Sequence, residues 1–182
     1  MLFDIRSLPG ALVHNECVMG MHCRDALQLE EEGLGLTWLI QEDKYDVVVI
    51  CLGTNDLGNG RTVEELQLDL AQLAKCAIAA SSPPSPASPT FLASQESVDS
   101  PVSMNPMIIF LALPFATQDI NERLCEGLPL GVHHIPFMPF NHKDLLPDGI
   151  HLNPQGRRRM TLHLQEHIKE LNHQARDPHT PT

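Results

Sequence analysis

Asp46-Val47-Val48-Val49-Ile50-Cys51-Leu52-Gly53-Thr54-Asn55-Asp56 decides the fold. Its first half is an unbroken apolar run rich in β-branched residues, with no polar alternation. Such a run predicts a parallel strand covered on both faces rather than a half-wetted antiparallel one. Three further stretches read as strands. Met107-Ile108-Ile109-Phe110-Leu111-Ala112-Leu113-Pro114 has the same character. His133-His134-Ile135-Pro136-Phe137-Met138 is weaker, and Ala11 to Val18 offers short apolar pairs at Leu12-Val13 and Cys17-Val18.

Helical signals lie between these runs. Thr62-Val63-Glu64-Glu65 is a capping box, with a Thr N-cap and an acid at the third helical position. Val63, Leu66, Leu70, Leu73 and Ala77 then recur at helical spacing, predicting a helix to around Ala80. Asn153-Pro154 is a second start signal, and Met160, Leu164, Ile168 and Leu171 form the apolar stripe of a C-terminal helix. A shorter helix is expected from Thr37 to Lys44. Strands alternating with helices imply an α/β fold around a mostly parallel sheet.

Composition narrows the partners. The chain has 182 residues, 42 % of them hydrophobic and only 4 % aromatic, so Leu, Ile, Val, Ala and Met must build the core. Twelve basic against 23 acidic residues give a formal charge of −11, which argues against nucleic acid, whose phosphates are gripped by Lys and Arg. No apolar stretch approaches the roughly 18 residues of a membrane span. Met1-Leu2-Phe3-Asp4-Ile5-Arg6 lacks the apolar h-region of a signal peptide, so the cytoplasm is the default compartment. Nothing in the sequence specifies an oligomeric state.

Two segments do not suit a core. Residues 81–106 contain eight Ser and six Pro, the composition of a disordered insertion between a helix and the next strand. Residues 172–182 are polar and read as a frayed tail. One folded domain over residues 1–171 is expected. The five cysteines, Cys17, Cys23, Cys51, Cys76 and Cys125, are odd in number and form no CxxC pair, so free buried thiols are expected.

Two motifs carry chemistry. Gly53-Thr54-Asn55-Asp56 stands directly after the Val-rich strand, and the carboxyl ends of strands are where open α/β sheets bind ligands. An Asn there can aim its amide N–H at a developing oxyanion. Asp148-Gly149-Ile150-His151 precedes the C-terminal helix. A carboxylate three residues before a His can hold the imidazole in one tautomer and leave its other nitrogen as a general base. Either motif is also a plausible turn on its own, since Asn-Asp and Asp-Gly both suit tight loops.

Taken together, and in this order, the motifs resemble the SGNH (GDSL) hydrolases, a family of esterases, lipases and acyltransferases on a flavodoxin-like three-layer α/β/α fold. Gly53-Thr54-Asn55-Asp56 matches the family's third block. Asp148-Gly149-Ile150-His151, followed by Asn153 and Gly156, matches the fifth, and Gly20 in Val18-Met19-Gly20-Met21 supplies the Gly expected after the second strand. The resemblance implies that Asn55 and the Gly20 backbone N–H form an oxyanion hole. His151 would be the general base and acid, and Asp148 would orient it. It further implies a small-molecule ester or thioester as substrate, with no metal and no cofactor.

The family's first block, Gly-Asp-Ser, carries the nucleophile and occurs nowhere in this sequence. Ser7, in Phe3-Asp4-Ile5-Arg6-Ser7-Leu8-Pro9-Gly10, matches it faintly. It lies thirteen positions before Gly20, too few for the intervening helix, strand and loops. In the strand order 2-1-3-4-5 the first strand is central. If residues 11–18 are the second strand, the first would lie upstream of Met1. Three origins are consistent with this pattern: an enzyme shortened at its N-terminus, a non-catalytic relative with a rebuilt start, or a degenerate first block in residues 1–10. The chain as written is expected to be almost inactive.

His163-Leu164-Gln165-Glu166-His167 has the spacing of a zinc motif. Its two His lie opposite the apolar stripe, so a solvated helix face is expected there instead. Arg157-Arg158-Arg159 reads as a solvated basic run.

Overall fold

The computed structural model describes residues 13–14, 20–43, 45–81, 106–113, 116–136, 138–149 and 151–176. The described elements are α1 (Cys23–Glu31), α2 (Leu36–Glu42), β1 (Val47–Ile50), α3 (Thr54–Gly58), α4 (Val63–Ser81), β2 (Met107–Leu111), α5 (Gln118–Glu126), β3 (Val132–Ile135) and α6 (Pro154–Arg176). The three strands form a parallel sheet in the order β1-β2-β3, with Val48 opposite Ile108 and Ile109 opposite His133. This is an α/β fold of the flavodoxin-like kind.

The sheet advances in one direction, so right-handed crossovers put both connecting helices on the same face. That face holds the larger core. Val48 and Ile50 of β1, and Ile108 and Phe110 of β2, pack with Leu66, Leu70, Leu73 and Ala77 of α4 and Leu124 of α5. The stripe read from the sequence is therefore the buried one, each Leu contributing about 1.5–3 kcal/mol. Cys23 of α1 and Ile40 of α2 close the same cluster. The opposite face is covered by α6, whose Met160 and Leu164 pack with Ile109, Leu111, Ile135 and Leu152. Helices, sheet and helix make three layers.

The capping box forms as predicted. Glu65 N donates to Thr62 Oγ1 at 3.2 Å, and Thr62 N donates to Glu65 Oε2 at 3.1 Å. These bonds hold the Glu65 carboxyl below its ordinary pKa, the backbone N–H of Thr62 first among the causes. Asn153 caps α6, its Oδ1 accepting from Gln155 N at 2.9 Å and Gly156 N at 3.0 Å.

Several expectations need correction. β1 is not covered alike on both faces: Val48 and Ile50 are buried, while Val49 is 36 % exposed. Among the described residues β1 has one strand neighbour, β2. The C-terminal helix does not fray at residue 172 but continues to Arg176, because no Pro or Gly interrupts it before Pro178. The expected helix from Thr37 is α2, which begins and ends slightly earlier. Helices α1 and α5 were not anticipated, since both are charged with only a narrow apolar side. The expected strand at residues 11–18, the serines beyond Ser81 up to residue 105, and Ser7 lie outside the described residues, apart from Val13 and His14, which are not in a strand.

Candidate functional site

The polypeptide leaves β1 through Gly53, whose φ of +122° only Gly adopts readily. A Cβ there would lie 2.8 Å from Leu66 Cδ2, so α4 also presses against this turn. Asn55 and Asp56 follow in the first turn of α3, at the carboxyl end of the strand. Their side chains face the segment preceding α1. Asn55 Nδ2 donates to the Met21 carbonyl at 3.0 Å. Asp56 is fully buried and accepts from Cys23 N at 3.1 Å and from Arg61 Nη1 at 2.8 Å. Arg61 Nη1 also donates to Asp69 Oδ2 of α4 at 2.6 Å. His22 stands beside this group, its Nδ1 3.7 Å from Asp56 Oδ1 and its Nε2 3.2 Å from Asn59 Nδ2. Gly20 is an exposed turn residue with φ +77°, two residues before His22. The third-block motif and the Gly20 turn are thus neighbours, a link that Asn55 makes directly.

The second motif sits on a loop built for rigidity. Leu145 and Leu152 form an isolated antiparallel bridge, and Leu146 N donates to His151 O at 2.7 Å. Asn153 Nδ2 donates to the carbonyls of Lys143 at 2.7 Å and Leu145 at 3.1 Å. Asp144 is fully buried, accepts from Asn141 N at 3.0 Å and pairs with Arg159 of α6. Gly156 lets this loop approach the helix: a Cβ there would lie 2.2 Å from the Asp144 carbonyl oxygen. The loop tip carries Asp148 and His151. Asp148 Oδ2 lies 2.8 Å from His151 Nδ1, and Asp148 Oδ1 accepts from His151 N at 2.9 Å. A carboxylate only accepts, so Nδ1 carries a proton, and in the neutral ring the lone pair is on Nε2. Both side chains are 45 % exposed.

Leu152, next to His151, belongs to the same buried cluster as Leu111 and Ile135, the last residues of β2 and β3. The Asp148–His151 loop is thus anchored to the α6 side of the sheet through Leu152, and the Asn55 turn follows the carboxyl end of β1.

Three buried polar residues to which the sequence assigned no role fix these segments: Asp56 through Arg61, Asp144 through Arg159, and Asn121. Asn121 Oδ1 accepts from Leu113 N at 2.7 Å and its Nδ2 donates to Leu113 O at 3.1 Å, tying α5 to the segment that follows β2. Their sequence neighbours are themselves largely polar, so no local signal marks them as buried. His163 and His167 do not open toward a metal. His163 Nε2 donates to Pro136 O at 3.0 Å and His167 Nδ1 to His163 O at 2.9 Å. Among the described residues no group of three His, Cys, Asp or Glu side chains is placed to hold a metal ion. None of the described cysteines that titrate abnormally is poised as a thiolate: burial pushes the Cys125 thiol up to about 11, and burial followed by Asp56 pushes Cys23 higher still. A groove of about 530 Å³ lies between α1 and α4, lined by Arg24, Leu27, Gln28, Glu31, Glu32 and Asp69, and none of the motif residues lines it. No described helix is long and apolar enough to cross a membrane.

No protein-family model matches this chain, and no curated protein matches it. Among solved structures, the chain is similar to the psychrotrophic esterase EstA from Pseudoalteromonas sp., in a form inhibited by monoethylphosphonate. The two share 17 % identity with a TM-score of 0.58, over 89 % of this chain and 79 % of the esterase. At that identity the likeness speaks for the fold: this chain is built on the same α/β architecture as an esterase.

Proposed function

We propose that the Asn55 turn and the Asp148–His151 loop converge at one rim of the sheet as the acid–base and oxyanion half of an SGNH-type ester hydrolase site, acting on a small-molecule ester or thioester. His151 is the general base and acid through Nε2, and Asp148 holds its tautomer and orientation. Asn55 Nδ2 and the Gly20 backbone N–H are the donors for the tetrahedral oxyanion. Asn55 has two amide protons, and only one is engaged by the Met21 carbonyl, so the second is available to an anion. The observation that carries the reading is the Asp148–His151 contact of 2.8 Å, on a fold shared with an esterase.

A second reading, a non-catalytic binding protein on the same fold, is favoured by the lack of Gly-Asp-Ser in the sequence. A fluorophosphonate probe separates the two. Labelling at one Ser, lost in His151→Ala, supports a working hydrolase. Absence of labelling supports the binding protein, for which the pocket persists without its nucleophile.

A further inference from the structure

We infer that Asp56 is the positioning residue for the anion-binding pair, setting Gly20 and Asn55 at a fixed separation through the backbone N–H of Cys23. This deepens the reading above and rests on it. The Gly20–Cys23 segment has two hydrogen bonds to the start of α3, Asn55 Nδ2 to Met21 O and Cys23 N to Asp56 Oδ2, and His22 Nδ1 lies 3.7 Å from Asp56 Oδ1. The first comes from the proposed anion donor itself, so it cannot fix that donor independently. The second comes from a fully buried carboxylate that touches no exposed surface. A buried carboxylate without a counter-charge would be costly. Arg61 supplies that charge and is itself held by Asp69, so the carboxylate is anchored from α4 as well. One oxygen of Asp56 faces the cation and the other faces the Cys23 amide. Only a group that accepts at both ends suits this place. An Asn can do one or the other: aiming its carbonyl at Cys23 N turns its NH2 toward Arg61, and the reverse loses the Cys23 bond.

The test follows the Gly20 backbone amide and the Asn55 side-chain amide by 15N NMR while the full chain is titrated with methylphosphonate, a tetrahedral anion. In the unaltered protein both resonances shift with one saturation curve. Asp56→Asn is expected to weaken that binding about tenfold, the scale of one charge-assisted hydrogen bond. The β1–β3 amide spectrum remains intact in this variant. Asp56→Asn combined with Arg61→Met removes the competing cation, lets the Asn carbonyl face Cys23 N, and restores the affinity to within about threefold. A residue that only stabilises the fold would move the melting temperature without this loss and recovery. Binding in Asp56→Asn within twofold of the unaltered protein overturns the positioning role, and so does a double variant no better than the single one. If the unaltered protein shifts neither Gly20 nor Asn55, the hydrolase reading fails and the positioning role with it. The charge-neutral double variant keeps the test decisive if Asp56→Asn alone does not fold.

Discussion

Single residues carry constraints here that their neighbours in sequence do not announce. Gly156 is one. The backbone carbonyl of Asp144 occupies the space where a Cβ would stand, at 2.2 Å, and backbone cannot swing aside as a flexible side chain would. Gly156→Ala is therefore expected to destabilise the protein by about 1–3 kcal/mol, the range for forcing atoms into filled space. Thermal melts read the loss, and the Asp148–His151 loop is the region whose amide exchange should rise. Cys23 is another. It is fully buried, and burial and the Asp56 carboxylate both disfavour its thiolate. Mass-spectrometric labelling with iodoacetamide at pH 8 should leave Cys23 unmodified in the native protein and modify it after unfolding. Rapid native labelling would contradict its placement beside Asp56.

At the scale of elements, β3 holds a titratable group in an unfavourable setting. His134 stacks near Phe110 with ring centroids 6.1 Å apart, and its Nε2 finds no partner among the described residues. Burial, and then His167, lower its pKa below the ordinary 6.5. The folded state thus binds this proton less readily than the unfolded chain. Its contribution to stability is present above pH 6.5 and is lost as pH falls from there toward the lowered folded value. Denaturant titrations at pH 7.5 and pH 5.5 should show the decline, and His134→Phe should flatten it. An unchanged pH dependence in that variant would remove His134 as the cause. The start of α6 makes a second element-scale case. Asn153 both caps the helix and holds the carbonyls of Lys143 and Leu145. Asn153→Ala should cost about 1 kcal/mol or slightly more, read as a shift in denaturant midpoint.

For the whole molecule, the layers explain how the proposed acid–base pair and oxyanion donor could be drawn from distant parts of the chain. Parallel strands bring all their carboxyl ends to one rim. On the proposed reading the turn after β1 and the loop before α6 would meet there, although α4, β2, α5 and β3 separate them in sequence. On the proposed reading, a site of this kind lacking its Ser nucleophile would retain only the residual catalysis of binding and oxyanion stabilisation, on the order of 10³–10⁴ over water. The chain as written should therefore show no measurable turnover of p-nitrophenyl acetate or butyrate. Robust turnover abolished by Ser7→Ala would reverse this expectation and make Ser7 the nucleophile.

Local patterns were enough for the α/β class, the parallel strands beginning near Val47 and Met107, the third strand near His133 though it begins at Val132 and ends at Ile135, the Thr62 capping box and the Asn153 start of the last helix. Each depends on side-chain periodicity or on bonds spanning a few residues, which sequence spacing already contains. The same holds for the Asp148–His151 contact, a three-residue reach within one loop. The tertiary structure alone decided that Val49 is left exposed on one face of β1, that α1 and α5 are helices, and that Asp56, Asp144 and Asn121 are buried. Those outcomes depend on which distant group arrives to pair with a polar atom: Cys23 N lies 33 positions from Asp56, and Arg159 lies 15 from Asp144. A carboxylate is stable inside a protein only when such a partner reaches it, and no local pattern of apolar and polar residues encodes that arrival.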